Sequence, residues 1–313
     1  MTKRNVLLAD GLEDNGQAIL RSSVKLVDKN GISPAELIEI IGDFDALIVR
    51  GRTIVSPVVF EAGMRLKVVG RSGVGVDNID LESARQHKIM IVNAPIASTV
   101  SVAELTFGLM LSLLREVPLA NASMKAGKWL KKELEGGELY QKTLGIIGVG
   151  RIGAAVGKRA IAFGMTVLGY DPFLKPEVIL EQGAEPVSID ELYSRSDILT
   201  LHIPLTNETR SMLNGSSFAQ MKPGIRIVCT ARGGLIDETA LLNALNSGQV
   251  AAAGLDVFAN EPPGLTSLVG HPHVVVTPHI GAQTVEAQQR TAHDIALEVL
   301  AALDGQPLHW RVA

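Results

Sequence analysis

The chain has 313 residues, of which 46% are apolar, 20% are charged and 4% are aromatic, and its formal net charge is −4. This composition excludes a disordered chain, and the slightly acidic balance without a Lys/Arg stripe argues against a general nucleic-acid binder. No apolar stretch is long enough to span a membrane, no secretory signal core follows the start, and the single cysteine allows no internal disulfide. We expect a globular, cytoplasmic protein of about two domains.

Short Val/Ile/Leu runs alternate with amphipathic stretches along the whole chain, a pattern typical of parallel sheets covered by helices on both faces. A first series predicts strands at Asn5–Ala9, Val24–Val27, Ala46–Val49, Lys67–Gly70 and Ile89–Val92, with helices at Pro34–Ile41 and Leu81–Gln86. A second series predicts strands at Leu144–Val149, Thr166–Tyr170, Ile198–His202, Ile225–Cys229, Ala251–Asp256 and Val274–Thr277, with helices at Arg151–Phe163 and Glu238–Asn246. The predicted fold class is α/β, with two doubly wound parallel-sheet domains.

Two further helices indicate how the domains divide. Ser98–Leu114 is apolar over most of its surface and is expected to be buried between domains or in a subunit interface. The last helix, about Thr284–Leu303, follows the second series without a strand of its own, so we expect it to pack on the first domain. The first domain is then discontinuous, with residues 1–97 and 285–313, and the second covers residues 98–284. Two chain crossings predict a hinge with a ligand cleft.

A glycine fingerprint follows the first strand of the second series. Gly148, Gly150 and Gly153 form G-x-G-x-x-G between a predicted strand and a predicted helix, and Asp171 ends the next strand. The glycines suit a tight turn, backbone approach to a pyrophosphate and close helix packing, and the acidic residue suits a ribose hydroxyl. Because a carboxylate repels a 2′-phosphate, we expect NAD(H) rather than NADP(H). The alternative is an ordinary strand–turn–helix with an exposed Asp.

Three titratable or charged residues follow strands of the second series. Arg232, Glu261 and His279 each stand just beyond a predicted strand, where the carboxyl ends of parallel strands bind ligands. An Arg binds a carboxylate with two hydrogen bonds, and a His beside a Glu has its cationic form favoured and donates a proton to a ketone oxygen. The alternatives are a surface ion-pair residue, a turn carboxylate and a hydrogen-bonded loop histidine.

Other polar residues receive structural interpretations. His202 ends a strand among apolar neighbours and is expected to pack near the cofactor rather than to transfer a proton. Asp256 is expected to be buried, orienting the nicotinamide amide or the catalytic loop. Cys229 is interpreted as a small core residue. His271 and His273 lack a third ligand nearby, so no metal site is predicted.

The first domain also carries basic strand ends. Arg50 and Arg71 follow predicted strands and point to an anionic substrate. The loop of Ser72, Gly73 and Val74 offers backbone N–H groups to a carboxylate. Solvated surface arginines are the alternative.

Over nearly its whole length the sequence resembles the D-isomer-specific 2-hydroxyacid dehydrogenases. The stretches that carry the resemblance are Val69–Asn78, Met124–Trp129, Gly148–Gly153, Tyr170–Pro172, Ala231–Glu238, Leu255–Phe258, Glu261–Pro263 and Pro278–Gly281. The resemblance implies a Rossmann NAD-binding domain and a flavodoxin-like substrate domain. It places NAD contacts at Val74, Arg151, Ile152, Ile203, Thr230, Ala231, Asp256, Gly281 and Ala282. We include His202 and Pro204, which flank Ile203, among the predicted cofactor-binding residues.

The resemblance further implies reversible hydride transfer at C2 of a D-2-hydroxy acid. Arg232 is then expected to bind the carboxylate and His279 to exchange the proton, with Glu261 raising the pKa of His279. Together with Arg50 and Arg71, the resemblance favours 3-phosphoglycerate, a substrate of serine biosynthesis. An unphosphorylated acid of the hydroxypyruvate or glyoxylate type and a non-catalytic NADH-sensing scaffold are the alternatives.

The assembly and the departures from the family complete these expectations. A homodimer is implied through the NAD-binding domain, with Ser98–Leu114 in the interface. Val74 and Ile203 stand where relatives acting on 3-phosphoglycerate commonly have Thr, which removes two possible hydroxyl contacts. The sequence ends where longer relatives carry regulatory domains, so feedback through such a domain is not expected.

Overall fold

The computed structural model describes residues 3–313, which divide into two compact units. Unit 1 comprises the chain up to Ser98 together with Ala282–Ala313, and unit 2 comprises Thr99–Gly281. The domain boundaries expected from the sequence were 97/98 and 284/285. Within residues 3–313, no helix combines the length and apolar character that a membrane crossing requires.

The strands and helices alternate along most of the chain. In chain order the strands are β1 (Asn5–Leu8), β2 (Lys25–Asp28), β3 (Ala46–Val49), β4 (Val68–Arg71), β5 (Met90–Asn93), β6 (Thr143–Ile147), β7 (Thr166–Tyr170), β8 (Glu185–Pro186), β9 (Ile198–Leu201), β10 (Ile225–Cys229), β11 (Val250–Leu255) and β12 (Val274–Val276). The helices are α1 (Asp14–Ser23), α2 (Pro34–Ile40), α3 (Pro57–Ala62), α4 (Leu81–Gln86), α5 (Thr99–Arg115), α6 (Val117–Lys125), α7 (Arg151–Ala162), α8 (Pro176–Glu181), α9 (Ile189–Arg195), α10 (Gly215–Ala219), α11 (Glu238–Ser247) and α12 (Val285–Asp304).

Unit 1 is built on a parallel five-stranded sheet of order β2-β1-β3-β4-β5. The helix α12 lies in this unit and packs against α1, β4 and β5. Its apolar residues Ile295 and Val299 are fully buried with the strand residues Val6 and Val68. The strands carry apolar residues on both faces of the sheet. Helices cover each face, as a parallel sheet requires.

Unit 2 is built on a parallel seven-stranded sheet of order β12-β11-β10-β9-β6-β7-β8. The chain builds β6, β7 and β8 outward in one direction and then crosses to β9 on the other side of β6. Ligands in such sheets bind where the strand order reverses, outside the carboxyl ends of the strands. Here that place lies between the ends of β6 and β9. The predicted fold class of two parallel-sheet α/β domains is confirmed by both sheets.

The apolar helix α5 packs on the sheet of its own unit. Its residues Met110 and Leu113 join Ile146 and Val228 in one core cluster on one face of the sheet. The opposite face buries a second cluster that includes the helix residue Leu241. Most of the apolar surface expected for this helix is thus covered within unit 2.

Two glycines inside helices differ in the space beside them, and this difference predicts opposite effects of the same substitution. A Cβ added at Gly16 on α1 would lie 2.5 Å from the carbonyl oxygen of Ala292 on α12, whereas one at Gly157 on α7 would lie 3.5 Å from Ile146 Cδ1. We expect Gly16→Ala to lower the free energy of unfolding by about 1–3 kcal/mol, because the helices cannot approach closely. Gly157→Ala should raise it by about 0.5–1 kcal/mol through helix propensity. Urea unfolding measures both, and a stabilising Gly16→Ala would contradict the observed packing.

Candidate active site

The glycine loop after β6 has the geometry that a dinucleotide pyrophosphate needs. Gly148 adopts a φ of +89° and donates its N–H to the carbonyl of Tyr170 at 2.8 Å. A Cβ at Gly148 would meet the backbone of His202, and a Cβ at Gly153 would overlap the carbonyl oxygen of Gly148. Beside Gly150, by contrast, nothing lies within 4 Å of the Cβ position. The loop is therefore closely packed against the protein at Gly148 and Gly153, whereas the space beside Gly150 is open to solvent. This space lies in front of the N-terminus of α7, and helix N-termini bind phosphate oxygens.

Asp171 lies next to this loop, at the carboxyl end of β7. Its Oδ2 accepts the backbone N–H of Val149 at 3.1 Å, and its Oδ1 accepts the N–H of Phe173 at 3.0 Å. Each carboxylate oxygen keeps a further acceptor site, which is what a ribose hydroxyl requires. The loop and this acidic residue together fit an NAD-type dinucleotide, with Arg151 and Ile152 forming the first turn of α7.

His202 follows β9, directly beside the glycine loop. Burial of the ring lowers its pKa to about 3, and the only hydrogen bond of the ring within residues 3–313 joins Nε2 to Thr200 Oγ1 at 3.1 Å. The ring is therefore neutral at physiological pH. The side chain of the following Ile203 packs against Gly148, where an added Cβ would lie 2.6 Å from Ile203 Cγ2, and Pro204 is exposed. A ring that stays neutral suits packing rather than proton transfer.

The three predicted chemical residues lie on loops that follow adjacent strands. Arg232 follows β10, Glu261 follows β11 and His279 follows β12, and these strands are neighbours in the sheet. The Arg232 loop is packed directly on the Glu261 loop, because a Cβ at Gly233 would overlap the backbone of Phe258. The guanidinium Nη1 of Arg232 donates to the carbonyl of Ala231 at 2.7 Å, which orients the side chain along its own loop.

His279 and Glu261 form a hydrogen-bonded pair. The Nδ1 atom of His279 lies 2.7 Å from Oε2 of Glu261, and the side chains are 47% and 36% exposed. The second carboxylate oxygen accepts the backbone N–H of Phe258 at 3.0 Å, so the carboxylate is fixed at both oxygens. A bond at Nδ1 leaves Nε2 as the ring atom able to exchange a proton with a ligand.

A buried carboxylate holds the histidine loop in place. Asp256 is 0% exposed and accepts hydrogen bonds from Thr277 Oγ1 at 2.6 Å, from the N–H of Ile280 at 2.8 Å and from the N–H of Gly281 at 2.8 Å. Its own carbonyl oxygen accepts the N–H of His279 at 2.8 Å. Of the two roles expected for this residue, these contacts fit the one in which it orients the loop that carries His279.

A pair of hydroxyls lies at the end of β10, and the sequence indicated only one member, Thr230. Thr106 on α5 is fully buried, and its Oγ1 lies 3.0 Å from Oγ1 of Thr230 while donating to the carbonyl of Val102 at 2.8 Å. This pair ties α5 to the residue that precedes Ala231 and Arg232. No local signal marks Thr106, since a Thr within an apolar helix is ordinary. Its partner lies 124 positions away in the sequence.

The basic residues expected to bind substrate lie in unit 1. Arg50 follows β3, where its guanidinium is held by Gln288 through a short hydrogen bond and lies 3.6 Å from Glu13. Arg71 ends the neighbouring strand β4 and donates from Nη1 to the carbonyl of Ser72 at 3.1 Å. The sequence did not indicate the contacts of Arg50 with Gln288 and Glu13.

The loop after β4 and the turn before α12 carry the remaining predicted residues. Gly73 has a φ of +145° and its carbonyl accepts the N–H of Ala94 at 2.9 Å, while the carbonyl of Val74 accepts Asn93 Nδ2 at 2.6 Å. Ala282 also belongs to unit 1 and accepts Gln288 Nε2 at 2.7 Å. The structure places Val74 and Ala282 in unit 1 and the other predicted cofactor residues in unit 2.

The remaining candidates have simple environments. Burial raises the pKa of the Cys229 thiol to about 11, so the thiol is protonated and unreactive at neutral pH. His271 and His273 have ring centroids 5.7 Å apart. Across the described part of the chain, no group of three or more His, Cys, Asp or Glu side chains is arranged to hold a metal ion.

Comparison with known proteins agrees with this geometry. The profile of the D-isomer specific 2-hydroxyacid dehydrogenase NAD-binding domain matches residues 107–281. The chain is 45% identical over 306 residues to D-3-phosphoglycerate dehydrogenase of Rattus norvegicus, and 48% identical over 302 residues to that of Methanocaldococcus jannaschii. These alignments cover 97% and 96% of the chain, but 57% and 58% of the relatives, so the chain spans little more than half their length.

Solved structures give the same result. A glyoxylate reductase from Paecilomyes thermophila aligns with a TM-score of 0.92 and 33% identity, covering 100% of this chain and 99% of that one. A D-lactate dehydrogenase from Aquifex aeolicus, complexed with NAD and lactic acid, aligns with a TM-score of 0.83 and 30% identity, covering 96% of each chain. The chain belongs to the D-isomer specific 2-hydroxyacid dehydrogenase family, and residues 107–281 are its NAD-binding domain.

The neutral His202 predicts a specific dependence of stability on pH. Below the ordinary pKa of 6.5 the unfolded chain binds a proton at this ring, whereas the folded chain does not until about pH 3. Stability is therefore lost as the pH falls from 6.5 toward 3, by up to about 1.4 kcal/mol per pH unit. We expect His202→Gln to flatten the fall of the free energy of unfolding between pH 6.5 and 4.5. An unchanged slope in His202→Gln would contradict the buried neutral ring.

Proposed function

We propose that the protein is an NAD-dependent D-2-hydroxyacid dehydrogenase, and that its substrate is 3-phosphoglycerate, oxidised to 3-phosphohydroxypyruvate in serine biosynthesis. The observation that carries this proposal is the His279–Glu261 pair, 2.7 Å apart, which joins two loops at the same sheet edge as the glycine fingerprint. A fixed acid/base pair beside a dinucleotide site is what carbonyl reduction requires.

The proposed roles of His279, Glu261 and Arg232 follow from their positions. NADH, when bound, supplies a hydride to C2 of the 2-keto acid. The His279 Nε2 donates a proton to the C2 oxygen as the ketone becomes an alcohol, and takes that proton back in the oxidation. Glu261 holds Nδ1 and stabilises the imidazolium. Arg232 binds the substrate carboxylate with two parallel hydrogen bonds and polarises the neighbouring carbonyl.

The cofactor is held by the strand ends of unit 2. Gly150 admits the pyrophosphate to the N-terminus of α7, and Asp171 accepts hydroxyl hydrogens of the adenine ribose. Since a phosphate at the ribose 2′ position would meet the Asp171 carboxylate, the proposed preference is for NAD. The neutral ring of His202 packs beside the loop without adding charge.

The choice of a phosphorylated substrate rests on unit 1 and on the relatives. Arg50 follows β3 and Arg71 ends the neighbouring strand β4, so two basic residues lie at one sheet edge. The relatives named D-3-phosphoglycerate dehydrogenase are 45% and 48% identical to the chain. The 33% identical glyoxylate reductase favours the second candidate, an enzyme for unphosphorylated acids. The ion pair of Arg50 with Glu13 also fits this candidate, because the Glu13 carboxylate already neutralises part of the basic edge.

We also propose a cytoplasmic homodimer that forms through unit 2. Four apolar side chains on α6 and the segment after it are half or more exposed, namely Val117, Leu119, Met124 and Trp129. A second copy that covers them would remove this apolar surface from water. The single, buried Cys229 suits a reducing compartment. Sedimentation of the purified chain tests the dimer.

The acid/base pair predicts graded losses of activity. We expect His279→Gln to lower kcat for keto-acid reduction by roughly 10²–10⁴-fold and to abolish the pH dependence that the imidazole imposes. Glu261→Gln should cost less, roughly 10–10²-fold, because an amide oxygen still accepts from Nδ1 but no longer carries charge. His293→Gln is the matched control with unchanged kcat. NADH affinity, measured by fluorescence, should stay within about twofold in all three.

The same assay separates the alternatives. Phosphohydroxypyruvate, hydroxypyruvate and glyoxylate are compared by kcat/KM in the wild type. A preference for the first supports the phosphorylated substrate, and a preference for either other acid favours the second candidate. Binding of NADH without turnover of any keto acid, or full turnover in His279→Gln, would overturn the dehydrogenase proposal.

A further inference from the structure

A cavity lies at the edge of the unit 2 sheet opposite to the glycine loop. Its volume is about 110 Å³, and it opens at the amino ends of β6, β9 and β10. The walls include Leu114 at the end of α5, Lys142, Asp197, Lys222 and Arg226. A single water needs roughly 10–15 Å³, so the cavity has room for a small polyatomic ligand. None of the proposed catalytic or cofactor-binding residues lines it.

Arg226 is the unusual wall residue. It is the second residue of β10, and strand alternation places it on the same sheet face as Val228, which packs in the core with Met110 of α5. The position is one where an apolar side chain would be expected. The Arg226 Nε atom is buried and has no hydrogen-bond partner within residues 3–313. A buried N–H without an acceptor is costly, so the stability of the fold alone does not explain an arginine at this position.

The charges around the cavity favour an anionic occupant. Asp197 is the one acidic wall residue, and its oxygens are already used by Lys222 Nζ at 2.9 Å and by the N–H of Thr143 at 2.8 Å. Burial works against the ionised form of Asp197, but these bonds and the charge of Lys142 keep its pKa below the ordinary value. The carboxylate therefore balances one of three cations. The cavity wall therefore keeps a net positive charge.

We propose that this cavity is a binding site for a small phosphate-type oxyanion. The anion is held at the Arg226 guanidinium and is flanked by the ammonium groups of Lys142 and Lys222. Guanidinium groups bind such oxyanions through charge-assisted hydrogen bonds. The site is separate from the proposed function, because the wall lies at the amino ends of strands whose carboxyl ends carry the catalytic loops. Inorganic phosphate and a phosphomonoester share the recognised chemistry, and the small volume favours inorganic phosphate.

Thermal unfolding of the full chain with inorganic phosphate tests the site, at an ionic strength held constant with chloride. We expect phosphate to raise the wild-type Tm by about 2–4 °C at saturation. Arg226→Gln should raise the apparent Kd for phosphate about tenfold or more, because a charge-assisted bond is lost. Arg226→Lys should retain an intermediate affinity. The exposed Lys158 on α7 lies outside the cavity, so Lys158→Gln is the control of equal charge change and should bind like the wild type.

A further variant and a second ligand make the unfolding experiment decisive even if Arg226→Gln does not fold. If Arg226→Gln does not fold, Lys142→Gln, at an exposed wall residue, takes its place. Glycerol 3-phosphate replaces inorganic phosphate in a parallel titration, and tighter binding of this ester would identify an organic phosphate as the occupant. Equal Tm shifts in the wild type and in the Arg226 and Lys142 variants would overturn the proposal. So would a crystal structure in which a second copy of the chain fills the cavity. In the absence of phosphate, turnover of the Arg226 and Lys142 variants should equal that of the wild type.

Discussion

The candidate active site depends on the buried carboxylate of Asp256. A fully buried charge is tolerated only when its oxygens are saturated with hydrogen bonds, and here one hydroxyl and two backbone N–H groups supply them. All three donors come from the loop after β12, while Asp256 follows β11. One side chain thus joins the ends of two neighbouring strands, and the loop cannot leave without uncovering the charge.

This anchor explains the conformation of the histidine. His279 has a φ of +52°, a left-handed conformation that is uncommon for residues other than glycine and that costs about 1 kcal/mol or more. The bond from its N–H to the carbonyl of Asp256 and the two bonds made by the following residues hold that conformation. The imidazole is thereby directed to Glu261, whose carboxylate is itself fixed by the N–H of Phe258. The strained backbone conformation of His279 thus orients its imidazole ring.

The sequence predicted those parts of the molecule that depend on local pattern. Strands such as Ala46–Val49 and Thr166–Tyr170 have the predicted bounds, because buried parallel strands are apolar throughout and end at polar residues. The two-residue strand β8, Glu185–Pro186, was missed because it is too short and too polar to show a pattern. The pairing of His279 with Glu261 was predictable, since both follow neighbouring strands.

Contacts made across long sequence separations were not predictable. Nothing near Thr106 indicates a partner 124 positions away, and nothing near Arg50 indicates Gln288, 238 positions away. The role of Thr277 as a donor to Asp256 was also missed, because a Thr at the end of a strand is common. These groups are brought together by the sheet order and by the return of the chain to unit 1, which only the tertiary structure defines.

The most direct test of the central claim is the rate of hydride transfer in Asp256→Asn, measured by stopped-flow oxidation of NADH with the keto acid that the wild type reduces fastest. The amide keeps the size of the side chain but replaces one acceptor of the loop by a donor. We predict a rate lowered by about tenfold or more and a displaced pH profile, with NADH affinity within about twofold of the wild type. A wild-type rate and pH profile in this variant would contradict the claim that Asp256 positions His279.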